Sequence, residues 1–179
     1  MLCNRLRFSC PGFLLRCCWA WRSSPCWLGQ LAAFHGVDVQ RVVLAASASE
    51  FIFRITAMVV GRGGSSVGLP PHSYGDYAHA AFAHGLKVVD ADVADLCWVC
   101  EPSSPLGQAH VDWLSPRSVV QVLDRAYELL RSSGYFVHSD DLNRLWQLYS
   151  PNKALGLTCV RAAYANAPLL WIARQTLKA

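Results

Sequence analysis

The chain lacks the long apolar run that a membrane-spanning helix requires, since no stretch reaches the roughly 18 residues needed. It also lacks an excess of one charge over most of its length. Residues 1–30 hold four arginines and no acidic residue, so the other 149 of the 179 residues carry 12 of the 16 basic residues and all 12 acidic ones. This balance argues against a phosphate-backbone binder. We expect neither nucleic acid nor a membrane as a partner.

Two common kinds of ligand site are missing from the sequence pattern. There is neither a Walker loop nor a GxGxxG segment, so nucleotide binding is not indicated. Cys17-Cys18 has no second Cys/His pair at ligand spacing, and Cys97 and Cys100 form a lone CxxC inside an apolar run, which is typical of strand residues. We therefore expect no metal site and no disulfide framework, and a reducing cytoplasm as the location.

The first thirty residues differ from the rest of the chain. They contain five of the eight cysteines, all before residue 27, and three of the seven tryptophans. A secretory signal over residues 1–20 is conceivable, but arginines and a proline interrupt its apolar stretch. We expect residues 1–30 to lie outside the fold, because they are typical of a mistranslated or rearranged gene start. Residues 31–179 are expected to form one partial domain. The chain as a whole, 53% hydrophobic and 16% charged, has a folded protein's composition.

From residue 31 onward, short apolar strands alternate with helical stretches. A helix is predicted to end at Gly36, and two more are predicted over 51–60 and 78–84. Strands are predicted at 41–44, 67–70, 86–89, 96–100, 118–123, within 142–149, and at 160–165. This order predicts an α/β fold with a mainly parallel sheet covered on both faces. In such sheets, ligands bind beyond the carboxyl ends of the strands.

Polar groups follow four of these strand ends. They are the Ala48-Ser49 turn, the Ser103-Ser104 loop, Asp124, and a polar loop over 150–156. Asp124 ends a strand rich in Val and Leu, and a buried carboxylate there needs a partner. It is either a helix N-cap or one half of an ion pair with a cationic ring nitrogen. In the second case Tyr127 could reach a neighbouring oxygen of the same ring.

Lys153 and Arg161 are the two cations of interest near the end of this pattern. Lys153 is one of only three lysines and lies between polar groups and an apolar stretch. A partly desolvated lysine there could lose its proton and attack an aldehyde, although the residue alone also suits an ordinary surface lysine. Arg161 lies within an otherwise apolar stretch, which suggests a buried anion as its partner.

Taken in order, these features resemble the large domain of fold-type I pyridoxal-phosphate enzymes, the class I/II aminotransferases, over residues 31–168. The nearest resemblance is to the histidinol-phosphate aminotransferase and threonine-phosphate decarboxylase branch. Together with Arg161, the segments that carry it are Ala-Ser-Glu at 48–50, His-Ser-Tyr-Gly-Asp-Tyr at 72–77, Glu-Pro-Ser-Ser-Pro-Leu-Gly at 101–107, Asp-Arg-Ala-Tyr at 124–127 and Ser-Pro-Asn-Lys at 150–153.

The resemblance implies a three-layer α/β/α domain of the aspartate-aminotransferase type that binds pyridoxal 5'-phosphate. Lys153 would hold this cofactor as a Schiff base and shuttle a proton, while Asp124 would keep the pyridine nitrogen protonated. Tyr127 would hydrogen-bond the ring oxygen O3', and Tyr74 would stack on the ring. The residues implied for the cofactor phosphate are Ala48, Ser49, Ser150, Asn152 and Arg161.

The sequence departs from the family at one loop and at both ends. Ser104 stands where the family has an asparagine that bonds O3', and a serine is shorter. Family members are about twice as long, so the N-terminal substrate-binding segment and the small C-terminal domain are expected to be missing, and with them the arginine that clamps the substrate carboxylate. The family implies a homodimer, which truncation puts in doubt.

Three functions remain open at this point. The first is an aminotransferase acting on an amino acid or an amino-acid phosphate. The second is a threonine-phosphate decarboxylase of cobalamin biosynthesis, which shares the same cofactor site. The third is an inactive family fragment that only binds pyridoxal phosphate or has lost function.

Overall fold

The structure is a computed structural model of the chain, and it describes residues 25–71, 73–103, 107, 120–131, 139–156 and 161–171. The chain divides into two units, one ending at Val39 and the other beginning at Gln40. The described part of the first unit, residues 25–39, begins with helix α1 (Pro25–His35). It ends where Gly36 adopts a φ of 63°, a left-handed conformation that glycine tolerates without strain. The predicted helix end at Gly36 is therefore confirmed.

The second unit contains the remaining helices and the sheet. Its strands are β1 (Val42–Ala45), β2 (Ser66–Gly68), β3 (Lys87–Val88), β4 (Leu96–Cys100), β5 (Val120–Asp124), β6 (Trp146–Tyr149) and β7 (Ala163–Asn166). Its helices are α2 (Ala48–Gly61), α3 (Gly75–Ala83), α4 (Ser139–Leu142) and α5 (Pro151–Leu155), with a 3-10 turn at Glu128–Leu130. A further 3-10 turn, Val39–Arg41, contains the division between the two units. Each predicted strand is present; β4 has the predicted bounds, and the bounds of the others are shifted by up to three residues.

The strand order in the sheet is β1-β7-β6-β5-β4-β2-β3. The pairs β2–β3, β2–β4, β4–β5 and β5–β6 are parallel, whereas β7 runs antiparallel to both β1 and β6. The prediction of a mainly parallel sheet is confirmed. Period-two patterning cannot reveal the inverted strand, because it is the same in either direction.

The sheet is covered on both faces, which is why every residue of β4 is buried. Trp98, Val122 and Leu148 point to the face packed by α2 and α3. Their neighbours Cys97 and Leu123 point to the opposite face, where they pack with the segment around α4. Each such buried side chain contributes roughly 1.5–3 kcal/mol relative to exposure. In the described ranges, no helix combines the length and apolarity needed to cross a bilayer.

Helix α5 replaces the polar loop that the sequence predicted over 150–156. The local signals were present: Ser150 is the N-cap residue, Pro151 is in the first turn, and Gly156 closes the helix with a φ of 62°. Proline is suited to the first helical turn and glycine to the residue after the last one. The loop prediction was wrong because a single helical turn is too short to show apolar periodicity.

Candidate functional site

One edge of the sheet collects the ends of three neighbouring strands. Ala45, at the end of β1, pairs with Ala163, and Tyr149, at the end of β6, pairs with Tyr164. Because β7 is antiparallel, it enters the sheet at the edge where β1 and β6 leave it. The predicted phosphate-binding residues therefore fall within four residues of three strand ends on one edge: Ala48 and Ser49 after β1, Ser150 and Asn152 after β6, and Arg161 before β7.

Asp124 ends β5, the next strand along the same edge, and is 5% exposed. Its Oδ2 accepts a hydrogen bond from the Tyr77 hydroxyl at 2.5 Å, and its Oδ1 accepts one from the Ala126 N–H at 2.9 Å. The second bond closes a local turn of the kind aspartate favours after a strand. Asp124 is not a helix N-cap, because the following 3-10 turn is capped by Tyr127 with no side-chain bond.

Burial raises the pKa of Asp124, and the two hydrogen bonds and the positive charge of Lys153 lower it without cancelling that effect. A buried carboxylate in this state is one that lacks a full cationic partner. A protonated ring nitrogen at this position would supply that partner. The donor set therefore fits a pyridinium, the charged ring of pyridoxal phosphate.

Lys153 lies in α5, which directly follows β6. Strand β6 is the neighbour of β5 in the sheet. Its Nζ is 5.8 Å from the centroid of the Tyr127 ring. The side chain is exposed, so the partial desolvation expected from the sequence is not found. Within the described part of the chain, no carboxylate lies within ion-pair distance of Nζ, which leaves the amine accessible.

Arg161 is also exposed, contrary to the buried anion expected as its partner. The strand that follows it is buried throughout, but β7 begins only at Ala163, so Arg161 lies outside the sheet. An exposed guanidinium at the edge of the sheet can still bind a phosphate from solution, in bidentate geometry.

The amino end of α2 is already built around hydroxyl and carboxylate groups. The Ser47 side chain caps the helix by accepting a 3.0 Å hydrogen bond from the Glu50 N–H. The Ser49 hydroxyl donates to a carboxylate oxygen of Asp76, at the start of α3. The first N–H groups of this 14-residue helix, including those of Ala48 and Ser49, have no intrahelical acceptor. They are suited to bind an anion.

Tyr74 is linked to the buried carboxylate of Asp124 through the ring of Tyr77. It is 51% exposed, and its ring meets that of Tyr77 edge-on, with centroids 5.8 Å apart. The hydroxyl of Tyr77 reaches Asp124, so the exposed face of Tyr74 is one ring away from the carboxylate. Ser104, the remaining predicted contact, lies outside the described residues.

Sequence reasoning assigned no role to Tyr77, although it named the residue within a motif. Tyr77 is 0% exposed and stacks on Trp98 with ring centroids 4.4 Å apart and planes 10° apart. The available signal was general: a buried tyrosine needs a partner for its hydroxyl. Nothing in the local spacing says that this partner is Asp124, 47 residues later.

A buried charge network around the segment that carries Tyr127 was also missed. Arg131 Nη1 lies 2.8 Å from Glu101 Oε1, which follows β4, and Arg131 Nη2 lies 3.4 Å from Glu128. Glu128 pairs in turn with Arg125 at 3.0 Å. This network links the end of β4 to the turn after β5 and so fixes the turn in place.

The described residues contain no group of three His, Cys, Asp or Glu side chains placed to hold a metal ion. The polar groups at this edge instead follow the order of the strands β1-β7-β6-β5. The amino end of α2 follows β1, Arg161 precedes β7, Lys153 follows β6, and the buried Asp124 ends β5. Chemically, these groups suit an anion, an aldehyde and a cationic ring nitrogen.

Comparison with solved structures identifies the fold. The structure superposes on L-threonine-O-3-phosphate decarboxylase from Porphyromonas gingivalis with a TM-score of 0.63 and 20% identity, covering 78% of this chain and 48% of that one. It superposes on histidinol-phosphate aminotransferase from Sinorhizobium meliloti, solved with pyridoxal-5'-phosphate, with a TM-score of 0.66 and 17% identity, covering 79% and 46%. It superposes on an aminotransferase from Staphylococcus aureus with a TM-score of 0.67 and 14% identity, covering 81% of this chain and 48% of that one.

The domain therefore has the three-layer α/β/α fold of fold-type I aminotransferases, as the sequence predicted. The chain spans about half the length of these structures. No family model and no curated protein matches the sequence. At identities of 14–20%, the similarity concerns the fold, and the chemistry has to be argued from the residues of this chain.

Proposed function

We propose that this protein is a pyridoxal-phosphate-dependent, aminotransferase-like enzyme that acts on an amino acid or an amino-acid phosphate through Lys153. The observation that carries the proposal is the placement of Asp124 and Lys153 after two adjacent strands, Asp124 at the end of β5 and Lys153 just beyond β6. The buried carboxylate needs a cationic partner, and the accessible amine lies close enough for its charge to lower the pKa of that carboxylate. Pyridoxal phosphate presents a ring nitrogen to the first group and an aldehyde to the second.

Each residue at the edge would have a defined role. When bound, the cofactor withdraws electrons from the substrate carbon that carries the amino group. Lys153 would hold the cofactor covalently through Nζ and then move a proton at the substrate carbon. Asp124 would keep the ring nitrogen protonated, Tyr127 would bind the ring oxygen, and Tyr74 would cover the ring face.

The phosphate of the cofactor would be held by five residues that share the β1–β7–β6 part of the edge. These residues are Ala48, Ser49, Ser150, Asn152 and Arg161. Helix N–H groups and a guanidinium are the standard donors for a phosphate dianion. Ser104 stands where the family has an asparagine, and because a serine is shorter, its contact with O3' would be made through a water molecule or lost.

A threonine-phosphate decarboxylase of cobalamin biosynthesis is the second candidate. The similarity in fold to the Porphyromonas gingivalis decarboxylase favours it, and so does the sequence motif Ser-Pro-Asn-Lys at 150–153. Both reactions use the same cofactor contacts and differ in which substrate bond is aligned with them. Product analysis separates the two: carbon dioxide indicates the decarboxylase, and a keto acid indicates the aminotransferase.

A third candidate is a chain that binds the cofactor without turnover, or has lost binding as well. The family further suggests a homodimer in the cytoplasm. Turnover together with a dimeric mass in solution would support the enzyme hypotheses. Cofactor binding by a monomer without turnover would favour the non-catalytic one.

The decisive experiment is an absorbance spectrum of the purified protein with pyridoxal phosphate, beside the variants Lys153→Ala and Lys87→Ala. Lys87 is an exposed lysine on the edge strand β3, far from the proposed site in strand order. We expect a visible band in the parent protein and in Lys87→Ala that is absent in Lys153→Ala. A band that survives Lys153→Ala would overturn the role of Lys153, and no band in any of the three proteins would overturn cofactor binding by this chain.

A further inference from the structure

The buried hydroxyl of Tyr77 donates a hydrogen bond to Asp124, and the proposed function does not use this contact. Tyr77 lies in the first turn of α3, while Asp124 ends β5, so two distant segments meet at this bond. The oxygen-to-oxygen distance of 2.5 Å is at the short end of the range for a hydroxyl bonded to a carboxylate.

The Tyr77 ring is held by its surroundings in a way that fixes this hydroxyl. One face is stacked on Trp98, which lies on the same sheet face as Asp124. Its edge meets the ring of Tyr74. Both Tyr77 and Trp98 are essentially without exposure, so the ring has no room to rotate away from the carboxylate.

The hydroxyl also remains a donor over the whole working pH range. Burial, the Asp124 charge and the nearby Cys100 thiol raise the pKa of Tyr77 well above 10. A protonated phenol that donates to a carboxylate stabilises the ionised form of that carboxylate. Around Asp124, the groups with this effect are Tyr77 from α3, the Ala126 N–H and the charge of Lys153 from α5.

We infer that Tyr77 is a positioning residue that orients Asp124 and keeps it ionised, so that it can hold the protonated ring nitrogen of the cofactor. This inference rests on the proposed function. Oδ1 is aligned by the Ala126 N–H and Oδ2 by the Tyr77 hydroxyl, so the plane of the carboxylate is set before any ligand arrives. Each oxygen retains a lone pair for the ring N–H.

The test compares the holoprotein with Tyr77→Phe and with a matched control, Tyr164→Phe. Tyr164 is another buried tyrosine with a stacked ring. Its neighbours in β7, Ala163 and Ala165, belong to the core cluster that contains Trp98, so Tyr164 faces the opposite side of the sheet. Each protein is loaded with pyridoxal phosphate labelled with ¹⁵N in the ring. The readouts are the ring-nitrogen chemical shift and the dissociation constant of the cofactor.

We expect Tyr77→Phe to move the ¹⁵N resonance toward the value of a neutral pyridine and to weaken cofactor binding about tenfold, the effect of losing one hydrogen bond to a charged group. Tyr164→Phe is expected to leave the resonance in place. Incorporation of 3-fluorotyrosine at position 77 guards against a folding defect, since it keeps the ring and makes the hydroxyl a stronger donor. It should move the resonance in the opposite direction from Tyr77→Phe.

The outcomes separate this inference from the proposal on which it rests. If the parent protein gives no cofactor band, both fail. If the parent protein binds the cofactor through Lys153 but Tyr77→Phe and the fluorinated protein leave the ring-nitrogen resonance unchanged, the role of Tyr77 is refuted and the proposed function stands.

Discussion

The hydroxyl of Ser49 donates to a carboxylate of Asp76, and this bond joins the first turn of α2 to the first turn of α3. The amino ends of α2 and α3, which both approach the candidate site, are thus connected by the carboxylate of Asp76. Asp76 is partly exposed and has His79 as a second neighbour at 3.8 Å. A carboxylate at this place is also the charge that a phosphate bound to Ser49 would meet.

Replacing Asp76 with asparagine is therefore expected to strengthen phosphate binding. The amide still accepts the Ser49 hydrogen bond but removes the repulsion between two anions, which is worth about two- to fivefold at a partly screened site. Binding of pyridoxal phosphate should improve by this factor, while binding of pyridoxal, which has no phosphate, should not. Equal changes for both ligands would place the phosphate elsewhere.

Asp124 provides a prediction about pH. Its pKa is raised in the folded protein, so folding favours the protonated carboxyl. The contribution of Asp124 to the stability of the cofactor-free protein is therefore greatest below the ordinary pKa of an aspartate. It is lost as the pH rises from that pKa through the raised pKa of the folded protein. Thermal unfolding followed between pH 4 and pH 8 measures this slope.

The variant Asp124→Asn removes that slope, because the amide does not ionise. We expect its cofactor-free form to unfold a few degrees higher than the parent at pH 7, about the effect of 1 kcal/mol in a chain of this size. Cofactor affinity should fall at the same time. A variant that is less stable than the parent at pH 7 would contradict the assignment of Asp124 as an under-compensated charge.

The pair between Arg131 and Glu101 is expected to matter for stability, since both side chains are under 10% exposed. Arg131→Met leaves the buried glutamate without that partner and should cost about 3 kcal/mol in urea unfolding. Arg54→Met is the matched control, because the Arg54–Glu50 pair is 43% and 33% exposed and should cost less than about 0.5 kcal/mol. Similar costs for both would mean that the buried network does not fix the turn after β5.

Gly68 is predicted to tolerate no side chain. A Cβ there would lie 2.7 Å from the Ala91 Cα, a backbone atom that cannot rotate away. Gly68→Ala should therefore destabilise the protein by about 1–3 kcal/mol. Gly61→Ala, at the end of α2 where nothing beyond the neighbouring helix backbone lies within 4 Å of the added carbon, should be neutral or stabilising by up to about 1 kcal/mol. Equal unfolding midpoints for the two variants would contradict the close approach at β2.

Most of the sheet was predictable from the sequence, since β4, β5 and β6 are short apolar runs with polar residues at their carboxyl ends. The buried state of Asp124 followed from the same reasoning. The antiparallel direction of β7 did not, because alternation looks the same in both directions. The helical turn that carries Lys153 was missed for a related reason: five residues are too few to show a period of 3.6.

The contacts of the site were harder to predict than its position. The bonds from Tyr77 to Asp124 and from Ser49 to Asp76 join residues 47 and 27 positions apart, and they depend on how α3 packs over the sheet. The exposure of Lys153 and Arg161 likewise depends on where the neighbouring strands begin and end. Sequence spacing identifies which residues gather at an edge, but packing decides which of them touch.

The inverted direction of β7 has a consequence for how the site could change over time. Strand β6 ends, and its neighbour β7 begins, at the same edge of the sheet. Lys153 and Arg161 both belong to the connection between these two strands. An insertion or deletion between Lys153 and Arg161 would therefore change the spacing of the two cations without requiring a change in the β6–β7 register.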